Sequence, residues 1–181
     1  LADIKERVRR VKGMNLGVPL GRLEISARTV REEDWENAWK AYFKPVKISD
    51  FVVIKPTWED YSAAPEDVVI EIDPGMAFGT GNHETTRMCV RFLEEYIEPG
   101  MTVVDAGCGS GILSIAAAKF GAEKVYALDL DPVAVAVTGE NAQRNGCADT
   151  VEVRKSDLLA EVPEGTQADI VVANIIADVV I

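Results

Sequence analysis

Seven residues, Asp105-Ala-Gly107-Cys-Gly109-Ser-Gly111, close the apolar run Thr102-Val-Val-Asp105 and open the helix-forming run Ile112-Leu-Ser-Ile-Ala-Ala-Ala-Lys119. Three glycines at alternate positions let the backbone turn sharply and approach a ligand where a Cβ would collide. The helix start behind them offers unpaired N–H groups to an anionic ligand group. Asp129 ends the next apolar stretch, 18 residues past Gly111, where the second strand of a βαβ unit delivers a carboxylate to ribose hydroxyls. A carboxylate suits that place because it receives two donors side by side. Together these residues form a nucleotide-cofactor cradle. A dinucleotide fingerprint reads Gly-x-Gly-x-x-Gly; here the third glycine falls one position early, and Ile112 stands where Gly or Ala belongs. That departure favours S-adenosylmethionine over NAD, with the methionine part against Gly107 and Gly109 and the ribose on Asp129. The competing reading of Asp129 is helix capping, a role that Asp131, directly before Pro132, fills better.

Asn174, in Ala173-Asn174-Ile175-Ile176-Ala177, stands at the end of the fourth apolar strand of this region. In an open parallel sheet ligands sit outside the carboxyl ends of the strands, so its side chain is expected to face the reactive end of the cofactor. Its amide can accept from an amine and donate elsewhere, which positions a nitrogen nucleophile without competing as one. An Asx-turn ending the strand is the alternative. In Phe78-Gly-Thr-Gly-Asn-His83-Glu-Thr85-Thr86, the glycines permit close backbone approach, and Thr86 in the first helical turn can reach the amino acid end of the cofactor. His83, the sole histidine, is either a proton acceptor or a helix cap. Asp157 is either an adenine contact or a solvated loop residue. The aromatic cluster Trp35, Trp39, Tyr42 and Phe43 reads as buried core at helical spacing rather than a peptide-binding face.

The elements that must hold these residues alternate regularly. Ile4, Val8 and Val11 predict a first helix stopped by Gly13, Leu23-Glu-Ile25 a strand, and Thr29 with Glu32 a capping box ahead of a helix ended by Pro45. Strands are expected at 51–54 and 68–72. A helix with the apolar stripe Cys89, Phe92, Leu93 and Tyr96 follows, ended by Pro99-Gly100. Beyond it come strand 102–105, helix 112–120, strand 124–129, helix 132–145, and strands 151–153 and 168–173. Apolar strands alternating with short helices imply a parallel sheet covered on both faces. The fold class is therefore α/β, a Rossmann-like parallel sheet behind a partial small α+β domain. That sheet type continues for several strands after the fourth, whereas seven residues follow Asn174, so it is expected to be cut short there. The expected divisions are an N-terminal α+β unit over 1–55, a linker and lead-in strand over 56–72, and the cofactor-binding domain over 73–181.

Composition narrows the class further. At 181 residues and 48% hydrophobic content the chain reads as globular. No run approaches the ~18 consecutive apolar residues of a membrane span, and the first residues lack a signal-peptide core, so a cytoplasmic protein without membrane attachment is expected. The three cysteines are far apart and lack Cys-x-x-Cys spacing, which predicts neither a metal site nor a disulfide framework. Residues 1–60 hold 12 Lys/Arg against 10 Asp/Glu, while residues 61–181 hold 7 against 20. So acidic a surface repels phosphate backbones and suits a basic protein better than nucleic acid, although acidity also serves solubility alone.

Several stretches taken together carry a resemblance. Asp73-Pro-Gly-Met-Ala-Phe-Gly-Thr-Gly-Asn-His-Glu-Thr-Thr86, the 105–113 loop, Ala127-Leu-Asp-Leu-Asp-Pro132, Asn141-Ala-Gln-Arg-Asn-Gly146 and Val172-Ala-Asn-Ile-Ile-Ala177 resemble the methyltransferase family of ribosomal large-subunit protein eleven. Trp35-Glu-Asn-Ala-Trp-Lys-Ala-Tyr-Phe-Lys-Pro45 is similar to the stretch joining that family's substrate-recognition and catalytic domains. The resemblance implies a class I S-adenosylmethionine-dependent protein methyltransferase that modifies lysine side chains and the N-terminal amine of a basic ribosomal protein. By position, Thr86, Gly107, Asp129 and Asn174 match the family's cofactor-site residues. Methylation of another protein, a small amine or a nucleobase is the enzymatic alternative. Nucleobase enzymes usually carry Asn-Pro-Pro-aromatic at this strand end, where Asn174-Ile-Ile-Ala supplies neither proline nor ring. A non-catalytic cofactor-binding or interaction module is the alternative of another class.

Overall fold

A computed structural model of the chain describes residues 2–12, 14, 40, 43–73 and 83–176. The chain divides into two compact units, Leu1–Ala41 and Tyr42–Ile181. In the first, helix α1 (Ala2–Lys12) forms as its spacing predicts. Exposed i,i+4 pairs, Arg7–Asp3 at 2.9 Å and Arg10–Glu6 at 3.5 Å, support its solvated face. The strand expected at 23–25, the capping box at 29–32, Trp35, Trp39 and Tyr42 lie outside the described residues.

In the second unit a small sheet of order β1-β2-β3 comes first. β1 (Val46–Lys47) runs antiparallel to β2 (Val52–Pro56), which pairs in parallel with β3 (Val68–Ile72) from Val52↔Val68 to Pro56↔Ile72. The stretch expected to close the N-terminal domain and the lead-in strand thus lie side by side in one sheet. The strand expected at 51–54 runs on to Pro56, its last residue, where a missing N–H is tolerated. Phe43 is buried, its ring 5.9 Å from that of Trp58, as a core residue.

Helix α2 (Glu84–Tyr96) leads to β4 (Thr102–Ala106), α3 (Ile112–Lys119), β5 (Lys124–Asp129), α4 (Pro132–Arg144), β6 (Val151–Lys155) and β7 (Ile170–Ala173). The four strands form a parallel sheet of order β6-β5-β4-β7. α3 is apolar apart from Ser114 and Lys119 and is buried from Ile112 to Ala117, as a helix packed on every side must be. Ile54, Ile70, Ile72, Leu93, Ile115 and Leu128 are among the largest fully buried side chains, each worth about 1.5–3 kcal/mol of burial. One core cluster joins the small sheet to the large one through Ile54, Ile70, Val90, Val103 and Val125. Among the described residues no helix is long and apolar enough to cross a membrane.

One expectation changes. Only part of the stripe Cys89, Phe92, Leu93 and Tyr96 faces the core: Leu93 is buried and Cys89 packs on the cluster, but Phe92 is 55% and Tyr96 58% exposed, their rings 6.3 Å apart at the surface. Along with Leu93, α2 buries Thr86 and Val90. The helix is turned toward Thr86, a polar residue that hydrophobic periodicity passes over.

Candidate functional site

Strand order locates the site. From β4 the chain steps outward to β5 and β6, then returns to place β7 on the other side of β4. The order reverses at β4 and β7, and such a crevice at the carboxyl ends of the strands is where open α/β sheets hold ligands. Gly107 follows β4, and Asn174 and Ile175 follow β7.

The two strand ends abut. Gly107, Gly109 and Gly111 all have left-handed backbone, with φ of +80°, +57° and +85°. A Cβ on Gly107 would sit 2.3 Å from Ile175 Cγ2, and one on Gly111 would sit 2.9 Å from Thr138 Cγ2. The Gly107 and Cys108 N–H groups both donate to Leu128 O, at 2.8 and 2.9 Å, which ties the loop to the end of β5. Asp129 holds the loop from the side: Oδ2 accepts from Gly109 N–H at 2.9 Å and Oδ1 from Asp131 N–H at 2.9 Å. Asp131 caps α4, accepting from Val133 N–H at 2.8 Å. The capping role therefore belongs to Asp131, leaving Asp129 at the strand end with lone pairs toward further donors.

On the other wall, Asn174 Nδ2 donates to Thr86 Oγ1 at 3.2 Å across 88 positions of sequence. Two residues expected at one site from separate motifs are thus in contact. His83 is the cap of α2, its Nδ1 accepting from Thr85 N–H at 3.3 Å and lying 2.7 Å from Thr85 Oγ1. The structure thus places His83 in the capping role. Asp157 lies exposed beyond β6. Residues 78–82 lie outside the described residues.

Sequence reasoning passed over Asp105 as a site residue. Its side chain is fully buried, Oδ2 accepts from Ser114 O–H at 2.6 Å, and Oδ1 has no partner. Burial pushes its carboxyl up to about 6, against the Ser114 hydrogen bonds and with the nearby Asp129 carboxylate adding to the rise. An orphaned carboxylate oxygen at the end of β4 fits a ligand that carries a cationic group, as the ammonium of S-adenosylmethionine does. The signal was a charged residue ending an otherwise apolar strand. Between the ordinary carboxylate range and about 6, the folded chain holds a proton that the unfolded chain has released. Its contribution to stability therefore falls as pH rises through that window, by about 3 kcal/mol in all. Asp105→Asn has no proton to lose. Urea unfolding at a series of pH values is expected to show the variant gaining on the wild type up to a pH near 6.5 and then levelling; a difference constant in pH would remove this assignment.

The other buried polar side chains, Thr86, Ser110, Ser114, Thr138, Asn141 and Ser156, border the same end of the sheet. Ser156 N–H donates to Asp129 O at 2.8 Å, and Thr138 Oγ1 donates to Gly109 O at 3.0 Å. Buried polar groups cost stability unless paired, so this concentration marks where the fold invests in precise placement.

Comparison with known proteins agrees with this geometry. The family model described as "Ribosomal protein L11 methyltransferase (PrmA)" matches residues 2–181. A ribosomal protein L11 methyltransferase of Thermoanaerobacter pseudethanolicus is 51% identical over 178 residues, covering 98% of this chain and 56% of that protein. One of Pelotomaculum thermopropionicum is 58% identical over 156 residues, covering 86% and 50%. The crystal structure of a ribosomal protein L11 methylase from Lactobacillus delbrueckii subsp. bulgaricus superposes with a TM-score of 0.70 at 39% identity, covering 76% of this chain and 69% of that one. The chain spans about half the length of the curated relatives it matches. With a glycine loop, an aspartate at the end of β5 and a paired Asn174 and Thr86 at one switch point, and a match along nearly its whole length, the chain belongs to the ribosomal protein L11 methyltransferase family.

Proposed function

We propose that this chain carries the cofactor site of an S-adenosylmethionine-dependent methyltransferase whose acceptors are lysine side-chain and N-terminal amines of ribosomal protein L11. The observation that carries the reading is the Asn174–Thr86 hydrogen bond opposite the glycine loop. It uses the N–H of the Asn174 amide and fixes the direction of its carbonyl oxygen, which is the group that receives an amine N–H. Gly107 and Gly109 would face the methionine part of the cofactor, Asp129 the ribose hydroxyls, and Thr86 and Asn174 the reacting end. When bound, the cofactor supplies a methyl group on an already activated sulfonium.

What remains for the protein is placement and the state of the amine. A lysine amine with a reference pKa of about 10.4 is almost wholly protonated at neutral pH, so it must reach the site as the neutral form. Proton loss is left to water or to His83, and Asn174 with the backbone of Ile175 and Ile176 orients the freed lone pair. The 7 Lys/Arg against 20 Asp/Glu of residues 61–181 favour a basic protein over nucleic acid as partner. The N-terminal unit, nearer charge balance, is assigned to gripping that substrate, and a ribosomal acceptor places the reaction in the cytoplasm.

Transfer of labelled methyl from S-adenosylmethionine to purified ribosomal protein L11 tests the reading. Asn174→Ala is expected to lower kcat by about 10²-fold, the cost of losing placement, while calorimetric affinity for S-adenosylhomocysteine changes far less. Cofactor binding without any methyl transfer by the wild type would turn the reading toward a binding module.

A further inference from the structure

Helix α4 carries Asn141 and, at its C-cap one turn on, Asn145, and both turn their amides toward the free edge of β3. Asn145 Oδ1 accepts from Glu71 N–H at 2.9 Å, and its Nδ2 donates to Glu71 O at 2.7 Å. Asn141 repeats the pattern two residues along the strand: Oδ1 accepts from Asp73 N–H and Nδ2 donates to Asp73 O, both at 3.0 Å. The registers match because four helical residues rise about 6 Å and two strand residues about 6.6 Å. Two side chains thus stand in for a neighbouring strand.

Asn141 does more than Asn145. Its Nδ2 also donates to Ser110 O at 2.9 Å, inside the glycine loop, and its Oδ1 receives Arg144 Nη1 at 3.1 Å. Both donors and both acceptor positions are used, in a side chain that is fully buried. One turn earlier Thr138 holds the preceding loop carbonyl, Gly109 O. α4 therefore pins two consecutive carbonyls of the loop, and through Asn141 alone it pins one of them to the end of β3 as well.

We propose that Asn141 is a positioning residue that couples the cofactor loop to the end of β3, so that the loop is held in its binding form only while Asp73 is docked. This rests on the reading of the loop as a cofactor site. Aspartate at either position keeps the shape but replaces the donating NH₂ by a carboxylate oxygen set against carbonyl oxygens. Asn145→Asp breaks the clip on Glu71 and the bond from Asn145 Nδ2 to Asn141 O at 2.8 Å but removes no side-chain bond to the loop, so it separates loss of packing from loss of coupling.

Wild type, Asn141→Asp and Asn145→Asp are compared in the whole chain by calorimetry with S-adenosylhomocysteine and by amide hydrogen exchange without it. Asn141→Asp is expected to weaken binding at least tenfold and to speed exchange at 107–111 and at Asp73 together. Asn145→Asp is expected to lose comparable thermal stability, to speed exchange at Glu71, and to keep its affinity within about threefold. Equal losses of affinity in the two variants, or unchanged loop exchange in Asn141→Asp, would overturn the coupling. Should Asn141→Asp not fold, two measurements replace it. The smaller Asn141→Ser is expected to show the same loop exchange, and in the wild type the ligand is expected to slow exchange at both 107–111 and Asp73; protection confined to the loop overturns the proposal. A wild type that binds no S-adenosylhomocysteine refutes the cofactor reading instead, and the coupling is then decided by the exchange of the variants.

Discussion

Gly107→Ala is expected to abolish measurable cofactor binding and to destabilise the chain by several kcal/mol, through two costs that can be separated. At φ +80° any L-residue pays about 1–2 kcal/mol for the left-handed conformation. The added methyl would also stand 2.3 Å from Ile175 Cγ2, and relieving such overpacking typically costs about 1–3 kcal/mol. The loop after β4 is held by Leu128 O and Asp129, so Ile175 is the partner that moves. It is the residue next to Asn174, and its movement pulls the amide from Thr86 Oγ1. The substitution therefore strikes the glycine loop and the Asn174–Thr86 pair at once. Ile175→Ala removes the collision without touching φ. In urea unfolding, the double variant Gly107→Ala/Ile175→Ala is expected to recover the steric part and keep the conformational part. Additive losses would show that the two strand ends do not press on each other.

The contrast between Gly107 and Asn141 shows what can be read in a sequence of this kind. The glycine loop is legible because its causes are local: left-handed backbone at 107, 109 and 111, a strand before and a helix after. Asp129 and Asn174 are legible because strand ends are legible, and topology then carries them to one place. Asn141 is not, since its partners Ser110 and Asp73 lie 31 and 68 positions away, and an asparagine within a helix has no local signature. The same holds for Asp105, whose meaning comes from burial of a carboxylate with an unpartnered Oδ1. The face of α2 was misjudged for a related reason. Phe92 and Tyr96 share a helical stripe with Leu93, but burial follows the sheet that the helix packs on, and it selects Thr86 for its site rather than for its hydrophobicity. Periodicity reports which residues share a face, and tertiary structure decides which face turns inward.

Asp129→Ala is expected to remove cofactor binding at least as completely, and the neighbouring Asp131 makes that result interpretable. The two carboxylates are two residues apart and both accept backbone N–H groups, yet they serve different structures. Asp131 satisfies Val133 N–H in the first turn of α4; Asp131→Ala is expected to cost about 1 kcal/mol of helix capping and to leave affinity for S-adenosylhomocysteine near that of the wild type. Asp129 binds Gly109 N–H across the loop and presents its remaining lone pairs at the carboxyl end of β5. Its loss frees the loop and deletes the acceptor proposed for two ribose hydroxyls, each such hydrogen bond to a charged group being worth about 1.5–3 kcal/mol, so the combined effect is expected to exceed a hundredfold in affinity. Asp129→Asn should fall between, because an amide can accept one hydroxyl but meets the other with a competing donor. Calorimetry on the three variants orders them Asp131→Ala, Asp129→Asn, Asp129→Ala by decreasing affinity. Robust binding by Asp129→Ala would reassign this carboxylate to loop structure alone and move the ribose elsewhere along the strand ends.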